Sequence, residues 1–204
     1  MLPWASQGWA SVLASLQARI ERFGKGRTAI HSAALFTGNL GAQMAERIRL
    51  HLGAGDRSWP GWINVDCIGE QDLISDVTEL DLPDNHADEI SAIHLFEHIP
   101  TPKAKQTLLE WLRVLKPGGQ LSLEMPCLDN VIALWNQGHR NDDLIGRALF
   151  GMPEPDTMRH HWCYSKQQIG TMLVEAGFEN VRFEEPFFHL PQRDLRVVGS
   201  KSKE

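Results

Sequence analysis

The chain is short of several things, and each shortage excludes something. It has 3 cysteines, 1 tyrosine, and no apolar run of the roughly 18 residues needed to span a bilayer. Cys67, Cys127 and Cys163 lie far apart and form no CxxC pair. That reads as reduced thiols in a cytoplasmic protein, not as a disulfide framework. Positive charge is scarce too: 20 Lys and Arg face 26 Asp and Glu, for a net charge of -6. Nucleic acid is therefore not expected as a partner, because its phosphates want a basic face. Residues 1–23, "MLPWASQGWASVLASLQARIERF", lack the basic start and long apolar centre of a secretory signal. Repeats and low-complexity segments are missing. What remains is a chain of 204 residues with ordinary apolar content, enough for one domain with a buried core.

Residues 5–23 carry Trp9, Val12, Leu13, Leu16, Ile20 and Phe23 at helical spacing, which predicts an amphipathic helix. "GKGR" breaks it. Residues 1–46 form a locally basic extension, with Arg19, Arg22, Lys25 and Arg27 against Glu21. Such a helix packs on its own domain or on a second subunit, which makes a homodimer through it an expectation. A membrane-surface helix or a substrate lid are the alternatives. Residues 47–204 then alternate strand and helix. "RLHL" (49–52), "WINVDC" (62–67), "DEISAIHL" (88–95) and "QLSLEMP" (120–126) read as strands. "TPKAKQTLLEWLRVLKPGG" reads as a helix capped by Thr101, with Pro102 in its first turn, Gly118 just past its end, and a buried stripe of Ala104, Leu108, Leu112 and Leu115. "SKQQIGTMLVEAGF" is a second helix, with Ser165 as cap and Gly177 as stop. "NVRFEEP" (180–186) and "DLRVVGS" (194–200) are joined by a loop too short for a crossover helix, so they should pair antiparallel. The alternation predicts an α/β domain with a mostly parallel sheet covered on both faces.

One stretch, "RLHLGAGDRSWPGWINVDC" (49–67), sets a problem. A strand running into Gly53, Ala54 and Gly55 is a nucleotide-binding corner, where backbone must turn sharply and approach a ligand. A dinucleotide site would continue as G-x-G-x-x-G into a helix whose N-terminus holds a pyrophosphate. Here Ser58 stands where the third glycine belongs, and Pro60-Gly61 leaves no room for a helix before Ile63. Asp66 also lies much closer than the roughly 20 residues at which the ribose-binding acid of a dinucleotide site falls. The corner can still turn the chain and offer a carboxylate to a sugar diol. A ligand with a ribose and no phosphates fits it best.

Together the motifs resemble the class I S-adenosylmethionine-dependent methyltransferases, and more closely the small type 11-like methyltransferases linked to polysaccharide or lipopolysaccharide biosynthesis. The resemblance is carried by "LHLGAG", "PGWINVD", "SDVTELDLPDNHADEI", "HLFEHIP", "LKPGGQLSLEMP", "HHWCYSKQQIGTMLVEAGFENV" and "RDLRVVGSK", in that order, across about residues 49 to 200. It implies a Rossmann-like sheet of order 3-2-1-4-5-7-6 with the last strand antiparallel, and S-adenosylmethionine as cofactor. By this resemblance Gly53, Ala54 and Gly55 approach the methionine moiety. Asp66 accepts the ribose hydroxyls and Cys67 packs by the adenine. Asp76 accepts from the adenine amino group beside Val77 backbone, and His94 and Leu95 backbone line the sulfonium side. Asp76 also reads as a capping or loop acid in "SDVTE". His51, inside the first strand, departs from the family's apolar habit and reads as a satisfied core histidine.

Methyl transfer from a sulfonium is an in-line displacement that needs alignment and a dry pocket, and an oxygen or nitrogen acceptor often needs a base near neutrality. Candidate catalytic histidines are His94 and His98, in a segment that also offers Glu97, and His161 beside His160, Trp162 and Tyr164. If "HLFEHIP" is helical, His94 and His98 share a face and Glu97 points elsewhere. His98 is then the base, or else a structural group holding the loop. His160 and His161 bind a sugar ring, or lie in a solvated loop. His160, His161 and Cys163 lack a matched second set of metal ligands, so no metal is expected. Residues 141–162 should fold over the acceptor side. The expected activity is methyl transfer to a small-molecule or sugar-containing acceptor. The rivals are a non-catalytic binding protein on the same fold and a nicotinamide-dependent oxidoreductase.

Overall fold

The computed structural model describes residues 47–142 and 144–204. The helix expected at residues 5–23, and the dimer or lid it would form, lie outside the described residues. Seven strands form one sheet: β1 Arg49–Leu52, β2 Ile63–Asp66, β3 Leu73–Ile74, β4 Ala87–Ile93, β5 Leu115–Pro126, β6 Glu179–Glu184 and β7 Asp194–Ser200. Their order is β3-β2-β1-β4-β5-β7-β6, as the resemblance implied. The first five pair in parallel, and β7 runs antiparallel to both β5 and β6. Leu50, Leu52, Ile90, Leu121, Leu123 and Met125 are fully buried, as expected of central strands covered on both faces.

Among the described residues four α-helices flank the sheet: α1 Thr101–Val114, α2 Leu128–Asn136, α3 Gly146–Phe150 and α4 Lys166–Glu175. The start of α4 follows the sequence closely. Ser165 Oγ accepts from Gln168 N at 3.1 Å while Gln168 Oε1 accepts from Ser165 N at 3.0 Å, a reciprocal capping box. Gly177 ends the helix at φ +99°, a conformation open to glycine.

α1 differs from the sequence reading at three points. Pro100, not Thr101, is the capping position, and Thr101 is already helical; Lys103 N bonds Pro100 O at 2.8 Å. Helix α1 also stops at Val114, before "LKPGG". The backbone N–H groups of Asn85 and His86 take up the last helical carbonyls, of Arg113 and Val114, at 3.0 and 2.7 Å, and Leu115 turns straight into β5. Gly118 (φ +78°) therefore turns the chain within the strand segment rather than ending the helix. Finally, the buried stripe is Ala104, Thr107, Leu108, Trp111 and Val114, with Leu112 only partly buried. Trp111 sets this rotation. It is fully buried, and its indole N–H reaches Val77 O at 2.8 Å, so the largest apolar surface of α1 and its polar tip are both satisfied inward.

The parallel strands bring Leu52, Asp66, Ile74 and Ile93 to one edge of the sheet, where ligands of open α/β folds bind.

Candidate active site

The glycine corner sits at that edge. Gly53 N and Ala54 N both donate to Val65 O, at 2.9 and 3.2 Å, which folds the corner back onto β2. Its two glycines serve different ends. Gly53 has φ +68°, and a Cβ there would lie 2.8 Å from Leu95 Cδ1, so side-chain packing forbids anything larger. Gly55 has φ +55°, and a Cβ there would meet nothing within 4 Å, so it faces open space. Asp66 closes the corner: its Oδ2 accepts from Gly55 N at 2.9 Å and its Oδ1 from Cys67 N at 2.7 Å. A carboxylate offers about four acceptor positions, so lone pairs remain for a diol. Cys67 is exposed beside it. Gln71 Nε2 ties Gly55 O from the other side at 2.6 Å.

Aromatic rings cover the ground the missing helix would hold. Trp59 stacks on His51 with ring centroids 3.9 Å apart, and on Phe188 at 4.6 Å. His51 is 3% exposed, and its Nδ1 donates to Asn64 Oδ1 at 3.2 Å. Burial lowers its pKa, so it is a neutral core histidine. Asn64 also accepts from Trp59 N at 2.7 Å and donates to Asp72 at 2.7 Å. Phe188 arrives from the β6–β7 loop, so a segment late in the chain lies across the corner.

After β3, Asp76 Oδ1 accepts from both the backbone N–H and the hydroxyl of Thr78 at 2.8 Å. The Thr78 N–H lowers the Asp76 pKa. Asp76 is thus a turn acid in the described structure, exposed at the same sheet edge, and the neighbouring Val77 carbonyl is anchored by Trp111.

Beyond β4 the chain enters a 3-10 turn, Phe96–His98, rather than an α-helix. His94, just ahead of this turn, meets Glu97, whose side chain is 1% exposed, with Nδ1 3.0 Å from Oε1. The expectation that Glu97 points away from both histidines is corrected: donor atoms of Glu97, His98 and His160 lie within 4.8 Å of one another. His94 has φ +50°, an uncommon conformation for a residue with a side chain and one that concentrates at functional sites. Its Nε2 faces Asp194 Oδ2 at 3.1 Å. Arg193 forks onto the same carboxylate at 2.6 and 3.0 Å. Burial by itself would lower the His94 pKa, but Glu97 and Asp194 outweigh it and raise it to about 9. His94 is an imidazolium at neutral pH. His189 packs on it at 4.0 Å, and burial, aided by that positive charge, drives its pKa down to about 3. Glu124 holds the loop that delivers His189, accepting from the N–H groups of Phe187, Phe188 and His189 at 2.8, 2.8 and 2.9 Å.

His98 Nδ1 donates to Arg159 O at 3.0 Å, and His160 Nδ1 to Ala148 O at 3.0 Å. A carbonyl can only accept, so each ring donates from Nδ1, and in the neutral form its lone pair is on Nε2. His161 is exposed; its backbone N–H donates to Glu97 O at 2.8 Å. The loop from 151 to 161 is thereby stapled against the 3-10 turn. Asp194, Glu124, Arg193, His189 and Trp59 escaped the sequence reading. "RD" ahead of the last strand was its one visible trace, because the contacts join segments up to a hundred positions apart.

Burial alone would raise the Asp194 pKa, but the hydrogen bonds from His94 and Arg193 bring it down to about 2. A carboxyl depressed in the fold adds stability above its unfolded value and loses it as pH falls through its folded one. Asp194→Asn is expected to lower the unfolding free energy by about 2 kcal/mol at pH 7, a gap that closes between about pH 4 and 2. Urea titrations of both proteins across that range check it; a gap that stays constant with pH would assign the loss to packing instead.

A glycine corner after β1, an acid closing β2 and the order 3-2-1-4-5-7-6 with β7 reversed define the Rossmann-like methyltransferase fold. The methyltransferase domain family matches residues 41–182, and the chain belongs to it. Solved structures share the fold. A SAM-dependent methyltransferase from Methanosarcina mazei is 16% identical, with 78% of this chain and 94% of that one covered at a TM-score of 0.55. One from Thermotoga maritima is 14% identical, covering 78% and 84% at 0.56. A third, from Archaeoglobus fulgidus, is 16% identical, covering 77% and 87% at 0.52. No curated protein sequence matches. Among the described residues no helix is long and apolar enough to cross a membrane.

Proposed function

We propose that the protein transfers the methyl group of S-adenosylmethionine to an oxygen or nitrogen of a small-molecule or sugar-containing acceptor. The observation that carries this is the corner at Gly53–Gly55, which leads into aromatic packing instead of a helix and is closed by the Asp66 carboxylate. A pyrophosphate would find no helix N-terminus there, whereas an adenosine needs only the diol acceptor and an open face such as the one beside Gly55. Asp66 takes the ribose hydroxyls, Cys67 and Asp76 flank the adenine, and the backbone at His94 and Leu95 lines the sulfonium.

Bound S-adenosylmethionine would supply a methyl group for in-line attack by the acceptor's lone pair, its C–S electrons passing to sulfur, which would leave as a neutral thioether. The acceptor's proton passes to the basic pole formed by His98 Nε2, His160 Nε2 and Glu97. His94, held as a cation between Glu97 and Asp194, positions this pole and does not take a proton at neutral pH. His161 and the exposed Trp162 lie on the acceptor side. Trp162 shares a cavity with Gln167 and Thr171, an aromatic face beside polar groups that suits a sugar ring. Three free cysteines fit a reducing, cytoplasmic setting.

Thermal-shift measurements decide between the readings. S-adenosylmethionine at about 100 times its Kd should stabilise the fold by about 2.7 kcal/mol, while a nicotinamide dinucleotide should not. The reverse pattern would assign an oxidoreductase, and no shift with either would assign a binding protein on a methyltransferase fold.

A further inference from the structure

Glu97 is 1% exposed, yet neither of its carboxylate oxygens accepts a well-aligned hydrogen bond from the protein. Its Oε1 lies 3.0 Å from the His94 imidazolium, an ion pair out of hydrogen-bond alignment, and its Oε2 has no partner at all. Buried carboxylates without hydrogen bonds are costly, and such orphans mark a missing partner. A second orphan, the Tyr164 hydroxyl, is buried without a partner in the same region and feels the Glu97 charge.

Facing Glu97 are two imidazoles already set for coordination. His98 and His160 each spend Nδ1–H on a backbone carbonyl, Arg159 O and Ala148 O. Metal-bound histidines are oriented this way: a hydrogen bond on one nitrogen fixes the tautomer and turns the other lone pair toward the ion. The two rings meet edge to face at 4.7 Å, and His160 Nε2 lies 4.0 Å from Glu97 Oε1. One donor atom from each of the three residues falls within 4.8 Å of the others. Ligands about 2.0–2.1 Å from an ion stand somewhat closer together than this, so a small inward movement closes the shell.

The backbone that delivers His160 is specifically built. Gly151 adopts φ +70°, and a Cβ there would overlap Met158 O and crowd His160, so only glycine lets the 151–159 hairpin close. His161 N then clasps Glu97 O at 2.8 Å.

We propose that Glu97, His98 and His160 bind one divalent transition-metal ion of the zinc class, through a carboxylate oxygen and two imidazole nitrogens. Two nitrogens and one oxygen suit zinc, cobalt or iron better than magnesium, which prefers oxygen alone and keeps its waters. Three protein ligands leave a position open for water or for an acceptor oxygen. Metal binding by this trio does not require the cofactor assignment; with an ion bound, the Nε2 lone pairs are spent on it, and a metal-held hydroxide rather than the imidazoles would take the acceptor's proton, a use in catalysis that rests on the proposed function.

The test uses the full, tag-free chain, stripped with chelator and titrated without S-adenosylmethionine. Zinc chloride should bind at one equivalent by calorimetry, and cobalt chloride should give visible absorption bands of a four- or five-coordinate ion. His160→Ala, which removes no ion pair, should weaken zinc binding at least tenfold, and Glu97→Gln should do the same. His139→Ala, on an exposed loop, should leave it unchanged. Circular dichroism of each stripped variant checks that it folds, and His98→Ala stands in for any that does not. Stripped protein that takes up neither metal has only an internal ion-pair cluster here, and the proposal fails. Stoichiometric binding untouched by His160→Ala also overturns it, because the ion then lies elsewhere, and binding of magnesium alone overturns the metal class. Because S-adenosylmethionine affinity is measured separately, loss of either result leaves the other standing.

Discussion

In Asp66→Ala the affinity for S-adenosylmethionine should fall by at least tenfold, read by calorimetry. A charged acceptor gripping two hydroxyls is worth roughly 1.5–3 kcal/mol. The structure adds a second contribution, since the same carboxylate holds Gly55 N and Cys67 N and so sets the shape of the corner. Asp66→Asn separates the two. It retains one neutral acceptor for the corner and loses the charge, so its affinity should lie between those of the parent and the alanine variant. The alanine variant should keep most of its thermal stability, because Asp66 is only half-buried at the sheet edge. Affinity unchanged in both variants would refute the ribose assignment.

The largest effect on stability is expected at Trp111. Trp111→Ala removes a fully buried indole that packs edge to face on Phe96, with centroids 5.7 Å apart. It also strips the Val77 carbonyl of its donor at 2.8 Å. Truncations of this size cost about 3–5 kcal/mol through lost burial and the cavity left behind. Trp111→Phe refills much of the space but still orphans the carbonyl, and should cost about 1–3 kcal/mol. Denaturant melts of the three proteins measure both. Because Val77 follows Asp76, Trp111→Phe should also loosen the turn proposed to face the adenine and weaken cofactor binding more than it weakens the fold. A loss below about 1 kcal/mol in Trp111→Ala would mean that the core is not organised around this residue.

Some of these features were legible in the chain itself. Ser165 and Gln168 stand three apart at the start of an apolar period, and the capping box follows. The short connection between β6 and β7 forces their antiparallel pairing. Other features were legible only in part. "TPKAKQTLLEWLRVLKPGG" shows a helix, but the backbone donors that end it at Val114 belong to Asn85 and His86, nearly thirty residues earlier in the chain. "HLFEHIP" shows a cluster of titratable groups. Whether Glu97 joined His98 and His160 depended on the 151–161 loop, which is tied to this turn by contacts about sixty positions apart that periodicity cannot show.

The sequence alone determined six of the seven strands, helices α1 and α4 in outline, and the glycine corner, while the sheet order was implied by family resemblance. Those depend on spacing: where apolar residues recur, where glycine or proline stands, and how many residues separate one strand from the next. Tertiary structure alone decided what surrounds each histidine. His94 is held as an imidazolium by Glu97 and by Asp194, which is brought from a hundred positions away to its second nitrogen. The carbonyls of Arg159 and Ala148 claim Nδ1 of His98 and His160, which leaves Nε2 of each open to a partner. Protonation depends on burial and on neighbours in space, and neither is a property of position along the chain.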